Sequence, residues 1–296
     1  MSVTVRVPAT TANLGPGFDV LGLALGLWNE VHVRAAPSLH ITVEGEGKDT
    51  LPCDERNLVY QAMIAFAREA GCELPPVALT LRNRIPLQSG LGSSAAAIVG
   101  GLLAATALLD VELSQAQLLR LATSLEGHPD NVAPALLGGL VAVAKGDPYP
   151  IAVPVPLPPG IQVVIVLPAV QVATEAARRL LPSHVSLTDA VFNLSRAVLT
   201  VLALSRGDYE LLSQVMVDRL HEPYRQQLIP GYAAAVTAGR AAGASAVVIS
   251  GSGPALAAFA PAHHERIAQA MVDAFSEEGI SARSWVLPVV GGAMVM

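Results

Sequence analysis

Residues 84–101 read RIPLQSGLGSSAAAIVGG, a glycine- and serine-rich run that gives way to alanine. Gly90 and Gly92 open backbone angles that other residues resist and leave no side chain between the main chain and a ligand. Ser93 and Ser94 fall where a helix begins, with its unpaired N–H groups and positive dipole end facing the loop. Such a place binds anions, and a nucleotide phosphate is a common occupant. No lysine precedes the serines, so the run is not G-x-x-x-x-G-K-[ST], and it does not match G-x-G-x-x-G either. On composition alone it is equally a glycine turn with a serine helix cap. A second stretch, EGHPDNVAPALLGG at residues 126–139, gathers Glu126, His128, Asp130 and Asn131. Taken alone, Asp130 and Asn131 read as a helix cap and its neighbour.

These groups need a frame. Val3, Val5 and Val7 alternate with polar residues, as do Val31 and Val33, Ile41 and Val43, and Leu79 and Leu81, which is the period of half-buried strands. Helical patterns occupy residues 56–70, 93–109 and 114–125. In KGDPYPIAVPVPLPPG, residues 145–160, proline is dense enough that regular structure is expected to break. The domain junction is placed there, dividing residues 1–150 from 151–296. Beyond it IQVVIVLP reads as a buried strand, residues 189–204 and 209–220 as helices, and ASAVVISGSGPALAAFAP as strand, glycine turn, strand. The fold class is α+β with no solenoid repeat. At 296 residues the chain is near the size where a single core stops growing, which suits two intimately packed domains.

Charged residues make up only 14% and apolar ones 52%, which fits a compact cytoplasmic enzyme and argues against disorder. A formal charge of −6 offers no general attraction for nucleic acid or anionic lipid, so any phosphate must be held locally. Cys53 and Cys72 are too few for a disulfide framework and read as reduced thiols. The opening MSVTVRVPAT lacks the pattern of a secretion signal. The apolar stretch at residues 95–109 is shorter than the ~20 residues that span a bilayer and reads as a buried helix. Neither a nucleic acid nor a membrane is expected as a partner. His32, His40, His184, His221, His263 and His264 show no metal-ligand spacing.

The string Pro86-x-x-x-Gly90-Leu91-Gly92-Ser93-Ser94-Ala95-Ala96 resembles the phosphate loop of the GHMP kinases over eleven positions. VPATTANLGPGFDVLGLAL at residues 7–25 and VVISGSGPALAAF at 247–259 follow in the family's order, so the resemblance spans nearly the whole chain. The first of these, with no basic residue near Thr10 or Thr11, and the His128-Pro-Asp130-Asn131-Val-Ala-Pro segment are similar to the branch that phosphorylates L-homoserine.

The resemblance implies a two-domain α+β fold. Its N-terminal domain is like the second domain of ribosomal protein S5 and its C-terminal domain is ferredoxin-like. It implies that ATP is held by Pro86, Leu87, Gln88, Ser89, Gly90, Leu91, Gly92, Ser93, Ser94 and Ala95, with Asn57 near the base. Ser94 and Glu126 would hold Mg²⁺, a hard cation that wants oxygen ligands. Asp130 and Asn131 take the catalytic place, orienting the hydroxyl, without the lysine that activates such an aspartate in other relatives. Asn13, Asp19, His128, Thr174, Arg178 and Arg225 contact the substrate. Arginine suits a carboxylate because its planar fork makes two parallel bonds, and Asp19 suits an ammonium. VATEAARRLLP puts Thr174 and Arg178 four residues apart, on one helix face. By itself each arginine is equally a solvated surface charge, and Asn13 and Asp19 are equally turn residues. Paired arginines with an acid argue against an isoprenoid or sugar alcohol as substrate. Retention of Ser94, Glu126 and Asp130 together argues against an inactive nucleotide-binding relative. The resemblance also implies a homodimer.

Overall fold

A computed structural model describes residues 2–296. Along the chain come β1 (Ser2–Ala12), β2 (Leu21–Ala35), β3 (His40–Gly45), α1 (Leu58–Glu69), β4 (Val77–Asn83), α2 (Ser93–Leu109), α3 (Gln115–Glu126), α4 (Pro129–Leu137), β5 (Leu140–Ala144) and β6 (Ile151–Val155). The six strands belong to one sheet, in which β1 and β4 flank β2, β3 runs parallel to β4, and β5 and β6 extend from the start of β2. Val3, Val5 and Val7 are buried while their polar neighbours are not, as the alternation requires. Helix α2 is apolar all round because it packs between α1 and the sheet.

The second half supplies β7 (Gln162–Pro168), α5 (Thr174–Arg179), α6 (Leu187–Arg206), α7 (Tyr209–Val215), α8 (Glu222–Arg225), α9 (Tyr232–Ala241), β8 (Ala246–Ile249), β9 (Leu256–Phe259), α10 (His264–Glu277), β10 (Ala282–Pro288) and β11 (Met294–Val295). A four-stranded sheet in the order β10-β7-β9-β8 carries a second core with α9 and α10. The last strand, β11, returns to pair with β1 in the first sheet.

Two local expectations are corrected. The proline-rich stretch breaks regular structure only in part: residues 145–150 and 156–160 are irregular, but β6 forms between them and pairs with β5 alone. Pro154 lacks an N–H and is tolerated on such an edge strand. The helix expected over residues 209–220 stops at Val215. There the Asp218 carboxylate accepts the backbone N–H groups of Leu220, His221 and Glu222, a local bonding pattern that competes with helix.

Candidate active site

The phosphate-loop candidate is gripped from both halves of the molecule. Gly92 is the N-cap of α2 with φ 69°, and no side chain caps that helix, so the serine-cap reading of the loop is set aside. A Cβ on Gly92 would sit 2.0 Å from Thr10 Oγ1, whose hydroxyl donates to Asn131 Oδ1 at 2.8 Å. A Cβ on Gly90 would sit 2.1 Å from the Ser250 carbonyl oxygen. The Ser250 hydroxyl lies 2.7 Å from Gly90 O and 2.9 Å from Thr11 Oγ1, and Ala255 N donates to Ser89 O at 3.1 Å. Only an acceptor, the Gly90 carbonyl takes the Ser250 proton, which leaves Thr11 to donate. The N–H groups of the first turn of α2 have no intrahelical acceptors and remain for an anion.

The loop borders a cavity of about 660 Å³. Leu87, Gln88, Ser89, Gly90, Gly92, Ser93 and Ser94 line it, whereas Pro86, Leu91 and Ala95 do not, and the last two are core. Asn57 lines it too, but its amide caps α1, accepting from Val59 N at 3.0 Å and donating to Pro52 O at 2.7 Å. Glu126 ends α3, Gly127 turns the chain at φ 92°, and Pro129 opens α4, which places Asp130 and Asn131 in its first turn. Ser94 Oγ donates to Glu126 Oε1 at 2.6 Å. Burial pushes the Glu126 carboxyl up, and the Ser94 bond partly offsets that. His128 Nδ1 meets Asp130 Oδ1 at 2.7 Å, which raises the imidazole's pKa and makes Nδ1 the donor. Among the described residues no three His, Cys, Asp or Glu side chains gather as a metal cage. A Glu–Ser pair offers two oxygens, and Mg²⁺ is a cation that keeps waters and shares phosphate oxygens.

Part of the cavity wall is charged. Arg178 forks onto Asp19, Nη1 to Oδ2 at 3.0 Å and Nη2 to Oδ1 at 3.1 Å. Asn13 spends its amide on the backbone, accepting from Asp19 N of its own loop at 3.0 Å and donating to Gly251 O of the β8–β9 turn at 2.7 Å. Thr174 Oγ1 lies 3.3 Å from Ser252 Oγ. Arg225 is buried, donates from Nη1 to Gly251 O at 3.0 Å and faces the Phe18 ring at 5.1 Å. All six residues assigned to substrate line the one cavity.

Residues 57–139 match the GHMP kinases N terminal domain and residues 200–277 the GHMP kinases C terminal domain. The chain is 46% identical to a homoserine kinase of Moorella thermoacetica over 99% of each chain. It is 47% identical to a homoserine kinase of Synechococcus sp., covering 98% of this chain and 96% of that one. The crystal structure of homoserine kinase from Cytophaga hutchinsonii aligns with a TM-score of 0.91 at 35% identity, covering 100% of this chain and 97% of that one. The chain belongs to the GHMP kinase family. Family membership brings the two-domain α+β kinase fold and ATP as phosphoryl donor.

Sequence reasoning missed the floor beneath the GHMP kinase's arginines. Asn193 on α6 donates to Asp218 Oδ1 at 2.7 Å and to Pro16 O at 3.2 Å, and Glu222 Oε1 accepts from Ile249 N at 2.6 Å. The available signal was a charge-dense run, DRLHEPYR at residues 218–225, in a chain only 14% charged. Burial pushes the Glu222 carboxyl from 4.5 up to about 8. Because the folded value is the higher one, this group's stabilisation is complete below pH 4.5 and is lost as pH rises through 8. Glu222→Gln, which copies the neutral acid, is expected to match the parent at pH 4 and exceed it at pH 9, by up to about 5 kcal/mol. Urea midpoints of both proteins across that range check it, and a parent–variant difference that stays constant with pH would contradict it.

Proposed function

We propose that this GHMP kinase transfers the γ-phosphoryl group of ATP to the side-chain hydroxyl of L-homoserine, giving O-phospho-L-homoserine and ADP on the way to threonine. The observation that carries the reading is one cavity lined both by the phosphate loop and by Arg178, Arg225 and Asp19. That trio matches a zwitterion, with guanidinium groups for the carboxylate and Asp19 for the ammonium. The relatives named above are homoserine kinases, which supports the same substrate.

Backbone N–H groups at the start of α2 hold the β- and γ-phosphates. Glu126 and Ser94 would hold Mg²⁺, which supplies charge neutralisation at the phosphoryl oxygens when bound. Asn131 spends its amide oxygen on Thr10, which leaves its NH₂ to orient the substrate hydroxyl. Asp130, held by His128, stands beside it to accept the proton. A loose phosphoryl-transfer transition state asks little of a base, so the absence of an activating lysine is tolerable and positioning carries most of the rate.

Arg225→Leu tests the acceptor end. It deletes a charge-assisted bond worth on the order of 1.5 to 3 kcal/mol in a desolvated site, so kcat/KM for homoserine is expected to fall roughly tenfold to hundredfold. ATP affinity is expected to hold, and homoserine amide, which lacks the carboxylate, to be nearly indifferent. Equal losses on homoserine and its amide would count against the amino-acid reading.

The reading includes a cytoplasmic homodimer. On α6, Leu187, Val191, Leu194, Val198 and Leu202 form an exposed stripe at three- and four-residue spacing. An antiparallel second copy would lay stripe against stripe and oppose the two helix dipoles. Among the described residues α6 is also the one helix long and apolar enough to cross a membrane. Its opposite face is tied into the protein through buried Asn193 and Thr200, which favours a protein partner for the stripe. Sedimentation equilibrium reads this directly, as a mass of one or two 30.6 kDa chains.

A further inference from the structure

The two arginines keep different company. Arg178 is exposed and already forked onto Asp19. Arg225 is 2% exposed and, among the described residues, has no carboxylate partner: Nη1 reaches Gly251 O and, at 3.4 Å, His221 Nδ1, while its buried Nε has no partner among them. A buried cation without a counterion is costly, and proteins ordinarily neutralise it. Here every nearby acid is otherwise engaged. Asp19 is on Arg178 and Asp130 on His128, while Asp218 spends both oxygens on Asn193 and backbone N–H groups. Glu222 is bonded to Ile249 N and, pushed up to about 8, is mostly protonated at neutral pH.

The group that touches Arg225 instead is His221, which is fully buried. Its Nε2 lies 2.9 Å from Gly15 O. A carbonyl only accepts, so Nε2 carries the proton and Nδ1 offers its lone pair to Arg225. Burial lowers the imidazole's pKa, which keeps the ring neutral. The ring also stacks on Phe18, with centroids 5.1 Å apart. A single imidazole thus joins the loop that carries Asn13 and Asp19 to the arginine.

We infer that His221 is a positioning residue for substrate recognition: as a neutral bridge between Gly15 and Arg225, it aims the guanidinium at the substrate carboxylate without spending its charge. The carboxylate then becomes the counterion that Arg225 lacks. A carboxylate in place of His221 would hold the arginine as firmly but neutralise it before substrate arrived. The inference rests on the homoserine reading above.

The test compares the whole parent protein with His221→Phe, which keeps the stack on Phe18 and loses both ring nitrogens, and with His221→Gln, whose amide can still donate to Gly15 O. For His221→Phe, KM for homoserine is expected to rise at least about tenfold with kcat within about threefold of the parent. KM for ATP and kcat/KM for homoserine amide are expected to stay at parent values, and His221→Gln to recover much of the loss. A loss equal on homoserine and its amide, or an unchanged homoserine KM, would overturn the inference. Should His221→Phe not fold, His221→Asn takes its place. Its shorter amide falls short of Gly15, so it should raise KM where Gln does not, and identical behaviour of Asn and Gln would overturn the inference. A parent that does not turn over homoserine contradicts the functional reading instead.

Discussion

Replacing Gly92 with valine is expected to abolish ATP binding. Two separate costs meet at that position. Its φ of 69° lies in the left-handed region, which costs an L-residue about 1–2 kcal/mol and a β-branched one more. The new Cβ would also fall 2.0 Å from Thr10 Oγ1, which is buried and pinned by its bond to Asn131, so the hydroxyl has nowhere to retreat. The loop must move away from Asn131, and the amides of the α2 first turn lose their aim. Gly71 provides the control, since it has φ 66° but nothing within 4 Å of its would-be Cβ. Gly71→Val bears backbone strain alone and should bind ATP as the parent does. Calorimetric titration of both variants with ATP, with near-ultraviolet circular dichroism to confirm folding, separates the effects. A folded Gly92→Val protein with parental ATP affinity would mean that the phosphate cradle lies elsewhere.

Glu126→Gln is expected to cut turnover at least about a hundredfold, because loss of one metal-binding charge removes several kcal/mol of transition-state stabilisation. The fold should survive. Glutamine keeps the oxygen that accepts the Ser94 hydroxyl, and burial already disfavours the charged form of the acid it replaces. The Mg²⁺ concentration giving half-maximal rate should rise together with the fall in kcat. Near-normal turnover by a folded variant would take Glu126 out of the metal site.

The chemistry-bearing loops were legible because their meaning is local. Gly90, Gly92 and the two serines specify a bare helix N-terminus within five residues, and Thr174 and Arg178 share a face by helical spacing alone. The strands of the first sheet were equally plain, since Val3, Val5 and Val7 alternate within one element. What escaped notice depends on distance along the chain. Asp19 meets Arg178 159 residues away, and His221 meets Gly15 206 residues away. Asn193 and Asp218 are 25 apart. No periodicity reports such pairs. Asn13 is instructive in another way, because its type and loop suggested both a ligand and a turn residue. It lines the cavity while its amide serves backbone on both sides, Asp19 N in its own turn and Gly251 O 238 residues away. Pro154 misled for the opposite reason: its lack of an N–H matters only where a second strand needs it, and β6 has a neighbour on one side only.

The central claim is the identity of the phosphoryl acceptor, and product analysis tests it most directly. Purified protein is incubated with Mg-ATP and, separately, L-homoserine, mevalonate, galactose and shikimate, and ³¹P spectra are recorded with ADP measured in parallel. The account predicts a new phosphomonoester with homoserine alone, formed one for one with ADP. Preferential phosphorylation of any of the other alcohols, or ADP release with no phosphorylated homoserine, would contradict it.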